Sequence, residues 1–331
     1  MPSSVVTGDS FAAHDDPDHP ESEARLKAAL IGVPDGVKRI APEQAPPEDL
    51  ALVHTPKHIA TIHSLCRACP PGEACYLDPE TYVTRGSFDA ALYAVGATQQ
   101  AVEQALSGEH SFAMVRPPGH HATPDRAMGF CLFNNIAIAT ARALREVDRI
   151  AIVDWDLHHG NGTQAAFYTS DRVLYCSVHE MGIFPGTGWP EEQGSGAGVG
   201  YTINAPLESG STGADYALVF QKIFLPAIQR FDPDLIVVSA GQDASFDDPF
   251  GSMLLHPEDF GALTGMLLEA RPGALALALE GGYARSHAAA IGSIFAAFDG
   301  ARFTPQGGDA KASTRLLVEA HIAAARSAIR T

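Results

Sequence analysis

Short apolar runs recur along the chain, and each one empties into charged or reactive residues. The run at 112–115 leads into Arg116-Pro-Pro-Gly-His-His121, and the run at 150–153 into Asp154-Trp-Asp-Leu-His-His159. The run at 173–176 leads into Ser177-Val-His-Glu180, that at 235–238 into Ser239-Ala-Gly-Gln-Asp243, and that at 274–279 into Glu280-Gly-Gly-Tyr283. Unbroken β-branched and aliphatic stretches of this length read as strands buried on both faces. Helical periodicity fills the intervals at 135–145, 213–230 (with a bend at Pro226), 257–270 and 286–298. The stretch 87–106 is Ala-rich, carries an apolar stripe and ends before Gly108, which predicts a long helix. Shorter helices are expected at 24–30 and 55–66, a short strand at 50–53, and an outer helix over about 314–330. Residues 1–24 are polar and rich in Pro, His and Asp, so they read as loop outside the core.

Strand–helix alternation with continuous apolar strands predicts an α/β fold whose parallel sheet is covered on both faces. Ligands in such sheets bind beyond the carboxyl ends of the strands. Five runs feeding reactive residues at that end therefore predict one composite site. No linker interrupts 80–300 and no internal repeat is present, so 1–331 reads as a single domain.

The stretch from Ile150 to Gly162 organises the rest. Asp154, Asp156, His158 and His159 follow four apolar residues, and a core accepts no such groups unpaired. At strand spacing Asp154, Asp156 and His158 share one side. Two carboxylates and an imidazole meeting there point to a metal; the alternative is a charged loop capping the next helix. With Asp243 from a neighbouring strand end, Asp156 and His158 make a three-ligand set with a vacant fourth position, as catalytic zinc sites have. The tandem His120-His121 behind Pro117-Pro118 can supply a general base, with Asp154 orienting one imidazole. Tyr283 can offer a hydroxyl to a developing oxyanion. Taken singly, His120-His121 could be a loop pair, Tyr283 a packed aromatic and Asp243 a cap. Together they describe metal-assisted hydrolysis of a carbonyl compound.

Composition narrows the setting. A 46% hydrophobic, 18% charged chain of 331 residues is that of a soluble globular protein. No apolar run approaches a membrane span, and the first residues show no secretory signal. A net charge of −17 argues against direct nucleic-acid binding. Five cysteines, with Cys131 and Cys176 in apolar runs, fit a reducing cytoplasm better than a disulfide framework. Cys66, Cys69 and Cys75 lack a fourth zinc ligand and read as surface thiols. Compact length fits a bacterial enzyme, and homo-oligomerisation is left open.

Arg116-Pro-Pro-Gly-His-His121, Gly129-Phe-Cys-Leu-Phe-Asn-Asn135, Asp154-Trp-Asp-Leu-His-His-Gly-Asn-Gly-Thr163, Phe184-Pro-Gly-Thr-Gly188, Ser239-Ala-Gly-Gln-Asp243 and Glu280-Gly-Gly-Tyr283 resemble the zinc-dependent histone deacetylase family. The style is that of its class II and bacterial amidohydrolase branch, and the motifs run in order from about His19 to His287. The resemblance implies a three-layer αβα arginase/deacetylase fold with a central, mainly parallel eight-stranded sheet. It implies one zinc ion on Asp156, His158 and Asp243, His121 as general base and then acid, His120 as its electrostatic partner, and Tyr283 polarising the acyl oxygen. It implies that Gly129, Phe130 and Phe184 wall a tunnel for an acetylated lysine or small amine, and that Asp78 is a rim residue binding substrate backbone. Potassium is implied near Asp154, Asp156, His158, Ser177 and the Val178 carbonyl. Three positions qualify the pattern. Gln242 stands beside a metal ligand where an apolar residue is usual. Asn161 replaces the Asp of class I. Phe250 occupies the position near which polyamine-selective members carry Glu. The competing readings are an acetylpolyamine amidohydrolase, a two-manganese ureohydrolase and a non-catalytic acyl-lysine binder.

Overall fold

A computed structural model describes residues 1–271 and 273–328. In chain order the elements are β1 (Ser3–Val6), α1 (Glu23–Leu30), β2 (Lys38–Ile40), α2 (Pro56–Ala68), β3 (Cys75–Tyr76), β4 (Tyr82–Val83), α3 (Ser87–Leu106), β5 (His110–Ala113), α4 (Asn135–Ala143) and β6 (Ile150–Asp154). They continue with α5 (Asn161–Phe167), β7 (Val173–Glu180), β8 (Thr202–Leu207), α6 (Gly213–Val219), α7 (Leu225–Phe231), β9 (Leu235–Ala240), α8 (Pro257–Ala270), β10 (Leu275–Leu279), α9 (His287–Phe298) and α10 (Ala312–Ala328). Arg330, the expected end of the last helix, lies outside the described residues.

Eight strands form one sheet in the order β2-β1-β5-β10-β9-β6-β7-β8, and every pairing in it is parallel. The five expected strands are five of its six inner strands, the adjacent β5, β10, β9, β6 and β7. Alternation along β6 shows why they read as continuous apolar runs. Ile150 and Ile152 enter the core shared with α3, α4 and α5, whereas Ala151 and Val153 enter the core shared with α6, α8 and α9. Helices cover both faces, giving the three-layer αβα architecture.

Three local expectations are corrected. The first 24 residues are not all outside the core: β1 lies inside the sheet between β2 and β5, and Val5, Val6 and Phe11 are buried. A two-valine strand between polar flanks is too short to announce itself. The stretch around 50–53 is a 3-10 turn, Pro47–Leu52, in which Leu50 anchors the turn from within and Pro46-Pro47 sets helical φ. Cys69 and Cys75 form a disulfide and Cys66 is buried, so these are not surface thiols. The hairpin β3–β4 carries Cys75 back against the end of α2, a contact that spacing alone does not specify.

The sheet's outer strands were not visible as apolar runs either. β2 and β8 occupy the two edges, where polar side chains such as Lys38 and Arg39 protect unpaired backbone. The expected bend in 213–230 is a π-helical turn, Phe220–Phe224, between α6 and α7, with Pro226 in the first turn of α7.

A buried ion pair ties the N-terminal segment beneath the strand ends. Arg116 is fully buried, and its Nε and Nη2 meet the two Glu21 carboxylate oxygens at 2.6 and 2.9 Å. Tyr82 adds a contact between its hydroxyl and Nη2 at 3.0 Å. Opposed by burial but held by Arg116, the Glu21 carboxyl sits well below the usual carboxylate range. Neutralising Glu21 leaves buried Arg116 with only the longer ion contact to Asp15 at 3.7 Å, so Glu21→Gln should destabilise the fold by about 3–5 kcal/mol, read as a lower midpoint in urea unfolding.

Candidate active site

The ends of β6, β9 and β10 deliver the carboxylates. β6 stops at Asp154, so Asp156 and His158 lie in the turn beyond it rather than on continued strand. Their alignment comes from caps. Asp154 Oδ1 accepts the Asp156 N–H at 3.2 Å, and Asp156 Oδ1 accepts the His158 N–H at 2.8 Å. Asp243 Oδ1 accepts the Leu157 N–H at 2.8 Å, and Asp156 Oδ2 accepts the Gly281 N–H at 2.8 Å. His158 Nδ1 then lies 3.1 Å from Asp243 Oδ2 and 3.3 Å from Asp156 Oδ1. One donor atom from each of Asp156, His158 and Asp243 falls within 4.8 Å of the others.

This donor set fits a divalent ion. Burial and the neighbouring Asp156 push the Asp243 carboxyl up to about 6, a repulsion that a dication between the two would reverse. Glycine is required around them. A Cβ at Gly241 would sit 1.9 Å from Asp156 Oδ2, and one at Gly281 would sit 2.2 Å from Asp243 Oδ2.

The two histidines above this cluster have opposite electrostatics although their rings are only 4.0 Å apart. Burial lowers His120, but Asp156, Asp154 and Glu280 outweigh it and hold the ring well above its ordinary value. Its Nδ1 lies 3.2 Å from Asp154 Oδ2, which also accepts the Tyr175 hydroxyl at 3.1 Å. Burial lowers His121 too, and there His120 and His158 reinforce it, so this ring stays well below its ordinary value. Asn161 Oδ1 accepts from His121 Nδ1 at 2.9 Å, which leaves Nε2 with a free lone pair. The neutral partner expected at Asn161 is thus in contact with His121.

These groups floor a cavity of about 180 Å³ whose walls include Gly129, Phe130, Phe184, Phe250 and Tyr283. The Tyr283 ring centre is 4.7 Å from that of Phe250 and 6.1 Å from that of Phe130, and Phe184 stands 5.0 Å from His121 across the mouth. Gly129 and Phe130 both have left-handed backbone, at φ 56° and 67°. A Cβ at Gly129 would meet His121 Cδ2 at 2.5 Å and Phe184 Cε1 at 2.9 Å.

Asp78 is the expected substrate residue that does not line the cavity. Its Oδ1 accepts the Glu80 and Thr81 N–H groups of its own turn, at 2.9 and 2.7 Å, and Glu80 reaches the mouth instead. Ser177 and Val178 are buried in β7, where Ser177 Oγ lies 2.9 Å from His179 Nδ1. Gln242 turns away from the ligands: its Oε1 is 2.9 Å from His287 Nε2.

Sequence reasoning missed three supports. Glu280 Oε2 accepts the Gly119 and His120 N–H groups at 2.7 and 3.1 Å, locking the histidine loop. Its position directly after an apolar run was the available signal. Arg25 donates to the Gly282 carbonyl at 2.9 Å and to that of Glu280, and its guanidinium carbon lies 4.8 Å from the Tyr283 ring centre, within cation–π range. Asp248 accepts the Tyr283 N–H at 2.7 Å. Nothing local marked Arg25 or Asp248.

With this geometry established, the sequence profile of the histone deacetylase domain matches residues 19–297. The chain belongs to the histone deacetylase family. It is 38% identical over 298 residues to a probable deacetylase of Archaeoglobus fulgidus, covering 86% of this chain and 82% of that protein. It is 40% identical over 280 residues to the histone deacetylase-like amidohydrolase of Pseudomonas aeruginosa, covering 81% and 72%. The crystal structure of the HDA15 HD domain superposes with a TM-score of 0.89 at 32% identity, covering 97% of this chain and 93% of that one. Membership supports hydrolytic deacetylase activity and accounts for the eight-stranded parallel sheet. No described helix of this deacetylase-family chain is long and apolar enough to cross a membrane.

Because any side chain at Gly129 must displace His121, Gly129→Ala should lower turnover of an acetyl-lysine probe on the order of 100-fold, as ångström-scale misplacement of a catalytic group does. Unchanged far-ultraviolet circular dichroism would show that the fold is retained.

Proposed function

We propose that the chain is a zinc-dependent amidohydrolase that removes acetyl groups from lysine side chains or similar N-acetylated amines, acting as one unit over 1–331. The observation that carries this reading is the convergence of Asp156, His158 and Asp243 under a neutral His121, with Tyr283 on the wall of the same narrow cavity. Asp156, His158 and Asp243 would hold the ion through one imidazole and two carboxylates, leaving the open position of a catalytic site. Bound there, zinc supplies Lewis acidity to the acyl carbonyl and lowers the pKa of water.

The chain's own groups handle the protons. His121 Nε2 takes one from the attacking water and returns it to the departing amine, so the imidazole is regenerated; the second water proton stays on the acyl product, and its transfer to the amine gives acetate and an ammonium. Asn161 holds the Nδ1 proton that keeps His121 in the accepting tautomer, and Asp154 fixes His120 beside it. Tyr283 donates its hydroxyl to the oxygen where negative charge develops, worth about 3–4 kcal/mol of the barrier by analogy with other oxyanion donors. Phe130 and Phe184 exclude water around a methylene stem. Gly129 leaves room for His121 and Phe184, and Phe250 closes the mouth.

Potassium at Asp154, Asp156, His158, Ser177 and Val178 rests on the family resemblance. A cytoplasmic location rests on overall composition, and the Cys69–Cys75 disulfide runs against the cysteine part of that argument. Acetylpolyamine hydrolysis is the second reading of substrate. Phe250, standing against Tyr283 near the position where polyamine-selective members carry Glu, weighs against a polyamine, whereas Glu80 at the mouth would suit a cation.

A panel of acylated amines assayed with metal-loaded protein tests the assignment, with the acetyl-lysine peptide expected to turn over faster than an acetylated polyamine. Loss of all amide hydrolysis in protein with full metal content would reject it. One transition-metal ion per chain is expected by elemental analysis, falling to near zero in Asp243→Ala. Tyr283→Phe should keep its metal yet lose on the order of 100-fold in kcat. Asn161→Asp should stabilise the His121 imidazolium and move the acid limb of the pH–rate profile to higher pH.

A further inference from the structure

The loop that carries Tyr283 has little regular structure of its own. Gly281 and Gly282 precede the tyrosine, Gly282 has φ 131°, and α9 begins only at His287. A hydroxyl that must meet a developing charge cannot be placed by such backbone unless something outside the loop holds it.

Two adjacent carboxylates from the segment after Asp243 grip the loop at both ends. Asp248 is 6% exposed. Its Oδ2 accepts the Tyr283 N–H at 2.7 Å, and its Oδ1 accepts the Phe250 N–H at 3.0 Å. Asp247 accepts the Ser286 N–H at 3.2 Å through Oδ2 and the Ser286 hydroxyl through Oδ1. The Tyr283 and Phe250 rings then pack edge to face at the cavity mouth. Asp248 itself is not among the lining residues.

We propose that Asp248 is a positioning residue, using its two oxygens separately to fix the backbone of Tyr283 and of Phe250 and so to set the hydroxyl against the reacting carbonyl. The inference rests on the role given to Tyr283 under the proposed function. Only a carboxylate serves here. An amide side chain offers one acceptor oxygen for two N–H donors, and its own NH₂ would face the other. Asp248 moves no proton and touches no substrate; it acts through Tyr283, and through Phe250 on the fit of the substrate stem.

The test is a double-mutant cycle on an acetyl-lysine peptide, followed by single-turnover measurement, with metal content determined for every variant. Asp248→Asn should lower kcat about tenfold or more with metal content unchanged. In a Tyr283→Phe background the same change should cost less than about twofold in kcat, because no hydroxyl remains to be positioned. An equal loss in both backgrounds overturns the inference and leaves Asp248 a structural residue. If Asp248→Asn does not fold, Asp247→Asn loosens the other end of the loop and supplies the same cycle, with the same two outcomes. Near-normal turnover in Tyr283→Phe alone removes the premise and overturns the Tyr283 role with it. A deficient Tyr283→Phe with additive losses overturns only the role of Asp248.

Discussion

Carboxylates buried at one end of a parallel sheet are the constraint around which this molecule is built. Asp154, Asp156, Asp243 and Glu280 are all shut away from solvent at or just beyond the ends of strands. Unpaired, each would be strongly disfavoured there. The compensation is mostly backbone. Asp156 takes the Gly281 N–H, Asp243 takes the Leu157 N–H, and Glu280 takes those of Gly119 and His120. Each of these bonds joins one strand end to the loop of another. The groups that offset desolvation therefore also set the relative positions of the loops, and a divalent ion would complete the neutralisation.

That arrangement has a chemical consequence. Two histidines adjacent in sequence sit in one field and respond oppositely. Burial lowers both rings, but Asp156, Asp154 and Glu280 hold His120 high, while His120 and His158 push His121 lower still. The surroundings alone keep one imidazole neutral beside a charged one. The outer supports follow the same logic. Arg116 with Glu21, and Arg25 with the carbonyls of Glu280 and Gly282, are buried cations held by groups distant in the chain, Arg25 also pairing locally with Glu21.

Much of this was legible. Five of the six inner strands stand in the sequence because burial on both faces demands continuous apolar runs. The cluster of Asp156, His158 and Asp243 and the histidine pair stand out because charged groups set directly after such runs must find partners at the sheet's end. The departures had physical causes as well. β1 holds only two valines and is stabilised by pairing on both sides, β2 is a polar three-residue edge, and the apolar pattern of β8 is interrupted by Asn204 and Pro206. The turn at Pro47–Leu52 followed prolines rather than hydrophobicity.

What remained for the tertiary structure were interactions between residues far apart in the chain. Local pattern carries period and burial, and from these the sheet, its reactive end and the character of the chemistry follow. It carries no distance between Arg25 and Tyr283, between Asp248 and the loop it holds, or between Cys69 and the hairpin cysteine that meets it. Asp78 shows a split of another kind: a motif named it, but only the fold shows that one of its carboxylate oxygens caps its own turn and that Glu80, not Asp78, lines the cavity. Hydrogen-bond partners are decided by where loops land after the sheet has formed, and no single stretch of chain encodes that landing place.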